Sequence, residues 1–283
     1  MNNFLRLSER LFLDGFILIS LAAVALGMAT LAQLEVPISS DPVYLLLFSG
    51  TLVSYNLHRV LKMPQNGKLH LRGRRFRYIL LLFALSLLAV SIFFIQKTAI
   101  LVLFPLAAIT FLYSVPLRLP IWSLPLRKIP YIKVFLVAAT WSALTVWLPL
   151  AEIAEVNKPL QTWLIFIERF FLLLAVTIPF DIRDMNEDKH LGMKTLPIVL
   201  GRRASLGISG AAAFLFWVTV VVQAFVMHYF YPIIPATAIF ALFSGLLICE
   251  KCSSHRHFYV FYIDGLLLLY GILMVLGMMW LQN

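Results

Sequence analysis

The sequence is short of charge. Of its 283 residues, 13% are Asp, Glu, Lys or Arg, about half the share found in soluble domains, which run near 25%. Acids are the scarcer sign, 13 against 23 Lys and Arg, and none stands between Asp41 and Glu152. So little charge on so apolar a chain excludes a disordered polymer, which needs the opposite balance. Cysteine is nearly missing: Cys249 and Cys252 are the only two, too few for a disulfide scaffold. Glycine and proline, 13 and 14 residues, show no triplet period, which excludes a collagen-like chain.

What is abundant is apolar surface. Hydrophobic residues make up 61% and the mean hydropathy is +0.92, which nearly rules out a single soluble globular domain. The apolar runs are unbroken over about 18–22 residues, the length of a bilayer-spanning helix. They do not alternate with polar residues, as the strands of an outer-membrane barrel would. Nine spans are expected, at 12–34, 43–61, 78–96, 98–115, 131–150, 161–180, 204–226, 233–249 and 259–280. The expected fold is therefore all-α: a polytopic nine-transmembrane-helix bundle forming one integral membrane domain over 1–283. The loops leave no room for an extramembrane domain, so function belongs inside the bundle or at its mouth. The first span follows Arg6 and Arg10 and is longer than a usual signal core, so it is expected to remain as an uncleaved helix.

The basic residues orient the bundle, because Lys and Arg resist translocation. Eighteen of the 23 fall in the odd-numbered segments that include residues 62–77 and 181–203. Only Lys97 and Lys158 fall on the opposite side. The N-terminus is expected in the cytoplasm and the C-terminus outside. The net charge of +10 then needs no nucleic acid to explain it. Both cysteines fall at the cytoplasmic end of span 8, where a bridge is not expected. His255 and His257 lie closer to Cys249 and Cys252 than zinc sites usually allow.

Two cytoplasmic connections stand out, after spans 2 and 6, four spans apart as a parallel internal repeat would place them. The second carries Asp181, Asp184 and Asp188 at i, i+3 and i+7. If span 6 continues as a helix, all three share one face. They would then crowd a helix C-terminus, where the macrodipole already disfavours anions. A hard divalent cation relieves that repulsion, and Mg²⁺ with phosphate oxygens suits such a donor set. Arg183, Lys189 and Lys194 can complete an anion cradle. The first connection has Tyr55-Asn56-Leu57-His58-Arg59 at its helix end and a basic run from Lys68 to Arg77, which can bind an anion but has no carboxylate for a metal. The third, Tyr113-Ser114-Val115-Pro116-Leu117-Arg118 with Lys133 beyond it, can line the same mouth. Among the intramembrane charges, Glu168 and Arg169 read as a structural pair between helices, Asp14 as a headgroup-facing acid, and Asp264 as open to a proton or ion path.

These residues resemble the UbiA family of intramembrane prenyltransferases. Asp181-x-x-Asp184-x-x-x-Asp188, with Gly192, Lys194, Thr195 and Gly201 behind it, is similar to the family's second aspartate motif. Tyr113-Ser114-x-Pro116-x-Arg118-Leu119 resembles its segment after helix 4. The family's first motif has the form Asn-x-x-x-Asp-x-x-x-Asp; here Asn56 is present, but Val60 and Pro64 hold the acidic places. The resemblance implies Mg²⁺-dependent transfer of an isoprenyl chain from a polyprenyl diphosphate to a small acceptor, usually an aromatic ring, as in quinone biosynthesis. It implies a place in a bacterial inner membrane among lipids. Asp181, Asp184 and Asp188 would hold the metal and carry catalysis. Asn56, His58, Arg59, Tyr113, Arg118, Lys133 and Lys194 would bind the diphosphate, the basic groups standing in for the lost first metal site. The developing allylic cation needs an apolar, closed pocket with aromatic faces, and the 23 Phe, 10 Tyr and 6 Trp supply wall material. Two other readings compete. One is a catalytically inactive UbiA-like prenyl-lipid binding protein, suggested by the lost first motif. The other is a transporter, against which stands the gathering of charge on one side only.

Overall fold

The structure is a computed structural model, and it describes residues 16–38, 42–61, 71–114, 131–153, 158–190, 192–249 and 258–282. Arg118 lies outside them. The backbone of Tyr113 lies within, its side chain outside. Among the described residues there are eleven α-helices: α1 (Ile17–Gln33), α2 (Pro42–Leu61), α3 (Leu71–Phe94), α4 (Lys97–Ser114), α5 (Ile132–Ala151), α6 (Pro159–Arg183), α7 (Met185–His190), α8 (Leu196–Leu200), α9 (Arg202–Met227), α10 (Ile233–Ile248) and α11 (Gly265–Gln282). A π-helical turn, Phe258–Asp264, leads into α11. By length and composition five helical segments can cross a bilayer: Arg75–Phe94, Ile132–Ala151, Pro159–Arg183, Arg202–Met227 and Phe261–Leu281. Shorter apolar helices cover Ile17–Gln33, Lys97–Thr110 and Ile233–Ile248.

Helices are the form these apolar runs must take in lipid, because each closes its own backbone hydrogen bonds. α1 packs along α11, α2 and α5; α5 packs on α6, α6 on α9, and α9 on α10. The largest core cluster joins α1, α5, α6, α9, α10 and α11 through residues such as Leu26, Ala138, Ile178, Phe216 and Tyr270. α1 can approach α11 closely because its face is small. Ala22, Ala23, Ala25 and Ala29 are all buried, and a Cβ at Gly271 would lie 2.6 Å from the Ala25 backbone. Small residues at such crossings are how apolar helices gain contact where lipid removes the hydrophobic drive. The outward faces of α3 and α4 are the reverse: Ile79, Leu82, Phe93, Leu101 and Phe104 are exposed, an apolar surface that suits lipid and not water.

A polar knot lies in the dry interior. Glu168 and Arg169 of α6 are both fully buried. Glu168 Oε1 accepts from Tyr270 Oη at 2.6 Å, and its Oε2 accepts from Gln33 Nε2 and from Gln223 Nε2, the latter at 3.2 Å. Arg169 donates to Gln33 Oε1 at 3.0 Å and to the Leu26 carbonyl at 3.2 Å. The reading of this pair as an interhelical clasp agrees with that geometry. Nearby, Tyr229 and Tyr231 donate to the Gln33 and Ala32 carbonyls, and burial pushes both phenols up, so they remain donors. Cys249 is disulfide-bonded, which corrects the expectation of no bridge.

Candidate functional site

The site grows from the end of α6. Pro159 starts this helix at a position where a missing N–H costs nothing, and Arg183 closes it with a cation in the last turn, which the macrodipole favours. The chain does not continue straight. Asp184 is the cap residue, with φ −88° and ψ 3°, and α7 begins at Met185. The expected single helical face is therefore divided. Asp181 remains in the last turn of α6, where the dipole opposes it, whereas Asp188 falls in the first turn of α7, where the dipole favours an acid. α7 then stops at Gly192: its N–H bonds the Lys189 carbonyl at 3.1 Å, and the Met193 N–H bonds the Asp188 carbonyl at 2.9 Å. That is a Schellman ending, and its left-handed position has φ +68°, which glycine adopts without strain. Gly201, at φ +82° and ψ 162°, occupies a region open essentially to glycine alone. The glycines of the motif thus fold the acids back over the helix end.

Lys133, near the start of α5, ties the two halves together. Its Nζ lies 2.6 Å from Asp181 Oδ1 and 2.9 Å from Asp188 Oδ2. Both acids are 1% exposed. Asp184 makes a different pair, accepting at Oδ1 from Arg183 Nε at 2.7 Å and at Oδ2 from Arg183 Nη2 at 3.1 Å. The Arg183 guanidinium also lies over the rings of Phe180 and Tyr259, 4.9 and 5.2 Å from their centroids. Asp181 Oδ2 is buried and has no hydrogen-bond partner, a state that costs free energy unless something fills it.

These groups border a cavity of about 250 Å³. One end is charged, with Arg59, Lys133 and Arg183 beside Asp181, Asp184, Glu187 and Asp264. The other is apolar, with Ile19, Val137, Leu173, Val176 and Leu267. Aromatic rings join them: Phe16 stands 5.2 Å from Tyr55, and Tyr55 meets Trp141 edge-on at 6.1 Å. The lining includes six of the sequence-predicted or neighbouring groups from α2, α5 and α6, namely His58, Arg59, Lys133, Asp181, Arg183 and Asp184. Asn56 does not line it. That side chain is fully buried, and its Nδ2 donates to the Leu52 carbonyl at 2.9 Å. Lys194 is exposed and does not line it either; its carbonyl accepts from the Tyr131 N–H at 3.2 Å. Asp188 reaches the site through Lys133. Sequence reasoning missed Glu187 and gave Asp264 no part in this mouth. The signal for Asp264 was absent, since the π-turn that sets its direction has no sequence signature. Such turns recur at functional sites.

Does the donor set suit a divalent cation? Among the described residues, no group of three His, Cys, Asp or Glu lies close enough to make a ready cage. Mg²⁺ does not need one: it is commonly held by one or two carboxylates, with substrate phosphates and water completing the octahedron. Asp181 and Asp184 share a cavity wall, and Asp181 offers an unpartnered oxygen. The residues fit.

The geometry defines a class: a helical membrane bundle whose cavity suits an amphiphilic ligand, with a charged head at one end and an apolar body along the wall. Residues 64–263 match the UbiA prenyltransferase family, well over half of the chain, and the protein belongs to that family. The match begins after Asn56 and Val60, where the first motif departs. No match was found among curated proteins. Among solved structures, an apo UbiA homolog from Aeropyrum pernix K1 is similar at 12% identity, covering 94% of this chain and 99% of that one with a TM-score of 0.66. A UbiA homolog from Archaeoglobus fulgidus bound to GPP and Mg²⁺ is similar at 18% identity, covering 94% and 98%, with a TM-score of 0.60. A digeranylgeranylglyceryl phosphate synthase structure gives 16%, 96% and 98%, at 0.57. At these identities the likeness is one of fold. The chain is an integral membrane prenyltransferase-family protein.

Proposed function

We propose that this protein transfers an isoprenyl chain from a polyprenyl diphosphate to a small aromatic acceptor within the membrane, with Mg²⁺ at Asp181 and Asp184. The observation that carries the reading is the cavity itself: four carboxylates and three cations at one end, an apolar wall at the other. Solved UbiA homologs with GPP or DMAPP and Mg²⁺ support the donor class. In this reading the nine longer helices among the described residues are all assigned as spans, and the charge bias supports a cytoplasmic N-terminus and an external C-terminus in a bacterial inner membrane.

Allylic diphosphates react when the leaving group's charge is neutralised. Bound Mg²⁺ supplies part of that neutralisation as a Lewis acid. The chain supplies the rest. Arg59 and Arg183 present guanidinium groups to diphosphate oxygens, a bidentate match. Lys133 holds Asp181 and Asp188 in place and keeps a fixed positive charge at the mouth. In this reading the cations stand in for the metal that acids at positions 60 and 64 of the first motif would otherwise hold. His58 and Arg59 of α2 line the cavity, whereas Asn56 bonds back to the Leu52 carbonyl of its own helix. Tyr113 and Arg118 keep their assignment to diphosphate binding in this reading, and Lys194, which is exposed and does not line the cavity, is given no part in it. Phe16, Tyr55, Trp141 and Phe180 exclude water and offer ring faces to the allylic cation.

The reading is tested in membranes containing the protein, with radiolabelled geranylgeranyl or farnesyl diphosphate, Mg²⁺ and a panel of aromatic acceptors. Label should enter a new apolar product, and the Asp184→Asn protein should form none. Unchanged turnover in that variant would sink the metal assignment. Donor binding without product over the whole panel would favour a prenyl-lipid binding protein, the reading that Val60 and Pro64 also suit.

A further inference from the structure

The π-turn Phe258–Asp264 brings Tyr259 against Arg183, the last residue of α6. Phe180, one turn earlier on the same helix, offers a ring centroid 4.9 Å from the guanidinium carbon. Tyr259 offers a second at 5.2 Å. The two ring centroids lie 5.6 Å apart with their planes tilted by 47°, so cation and rings form a nearly equilateral triangle. Tyr259 is fixed in turn from behind. Phe258, a buried member of the main core, meets it edge-on at 5.1 Å.

Arg183 needs such a hold. Its side chain is 42% exposed, and an ion pair this open, here with Asp184, restrains a long side chain only weakly. The bonds to Asp184 use Nε and Nη2, two of the guanidinium's five N–H donors, and the residue lines the charged cavity. The aromatic corner adds the constraint that the ion pair lacks, since a guanidinium within about 6 Å of a ring centroid is drawn to the ring face. Burial pushes the Tyr259 phenol up, so Tyr259 meets Arg183 as a neutral ring and not as a phenolate. A side chain ordered before its ligand arrives loses less freedom on binding.

We infer that Tyr259 is a positioning residue for the donor: its ring holds the Arg183 guanidinium at the cavity wall, already aimed at the diphosphate. The inference rests on the prenyl-transfer reading for the identity of that ligand. Tyr259 acts through Arg183 and not by touching the donor. It lines a small neighbouring pocket with Pro179, Ile182 and Phe258, whereas Arg183 and Phe180 line the cavity itself.

The test is a calorimetric titration of purified full-length protein in detergent with geranyl diphosphate and Mg²⁺. Tyr259→Phe keeps the ring and should bind within about twofold of wild type. Tyr259→Leu should weaken binding about fivefold, the loss of one cation–π contact. A trifluorinated phenylalanine in place of Tyr259 is the decisive variant. It nearly keeps the shape of phenylalanine, but its fluorines draw electron density off the ring face, so it should weaken binding nearly as much as leucine does. In an Arg183→Gln background the leucine and fluorinated changes should have no further effect, because residues acting through one contact are not additive. Fluorinated and plain phenylalanine binding the donor equally overturns the inference, since a loss confined to leucine reports packing. An effect that persists undiminished beside Arg183→Gln also overturns it. Wild-type protein that fails to bind geranyl diphosphate overturns the donor reading and the inference together. Wild-type binding with a flat ring series overturns the inference alone.

Discussion

Two clusters of charge lie inside this apolar bundle, and they differ in what surrounds them. The Glu168–Arg169 knot is closed. Both carboxylate oxygens are bonded, the guanidinium reaches Gln33 and the Leu26 carbonyl, and its one open donor, Nε, lies 3.9 Å from Glu168 Oε1. The cavity at the end of α6 does not reach it. The Asp181–Lys133–Asp188 cluster has buried carboxylates too, but it borders a cavity and leaves Asp181 Oδ2 unmet. Burial alone therefore does not mark function in a membrane bundle. A polar group whose needs are met by neighbouring helices holds the fold, and one left facing a space awaits a ligand.

The contrast breaks first, and hardest, at Glu168. Glu168→Ala strands a fully buried arginine and frees Tyr270, Gln33 and Gln223 from their acceptor. Removing one partner of such a pair costs about 3–5 kcal/mol. The variant should lose that much stability in thermal or denaturant unfolding in detergent, and Mg²⁺ should restore none of it. A loss under about 1 kcal/mol would mean the knot is not a clasp. Lys133→Met comes next. It leaves two buried carboxylates facing one another, at a cost of about 1–3 kcal/mol. Here millimolar Mg²⁺ should return part of the loss, because a bound cation stabilises by mass action and two carboxylates stand ready for it. If Mg²⁺ gives the Lys133 and Glu168 variants the same null response, the distinction between the two clusters fails.

This same contrast explains what could be read from the chain in advance. The helices were legible because lipid permits so little else: among the described residues each expected span overlaps a helix. α1 nevertheless starts at Ile17, α11 at Gly265 after the π-turn, and α3 at Leu71, which takes Arg72 to Arg77 into its first turns. Five of the helical segments are long and apolar enough to cross a bilayer. Asp181, Asp184, His58 and Arg59 were legible because charge at the end of an apolar run has few innocent explanations. Lys133 was legible as a member of the mouth, but not as the bridge between two acids. That role depends on the break at Asp184, which carries no proline or glycine to announce it. Asp264 and Glu187 depend in the same way on local helix geometry.

A smaller effect is expected at Gly192. No side chain or backbone atom lies within 4 Å of a Cβ built there, so Gly192→Ala meets no clash and bears only the left-handed backbone penalty, about 1–2 kcal/mol. The useful readout is what accompanies it. Gly192 ends α7, and α7 carries Asp188, so relaxation of that turn should loosen the hold on Lys133 and lower the Mg²⁺-induced rise in thermal stability. A stability loss with an unchanged Mg²⁺ response would detach the turn from the site.

The smallest effect on the fold should come from Asp184→Asn, and it sharpens the comparison most. Its partner Arg183 has a side chain 42% exposed and its own carboxylate is 33% exposed, and pairs this open contribute about 0–1 kcal/mol. Asparagine keeps the shape and one acceptor for the guanidinium, so unfolding in the absence of metal should be unchanged within that margin. The charge is another matter. Asp184 supplies one of the two carboxylates on the cavity wall that this reading gives to Mg²⁺, and an amide oxygen is a much weaker ligand for a hard cation. The Mg²⁺-induced gain in thermal stability should therefore vanish in a protein whose fold is untouched, the reverse of Glu168→Ala, where the fold fails and no metal helps. A variant that keeps the full Mg²⁺ response would move the metal away from Asp184, to Asp181 and the acids on its other side.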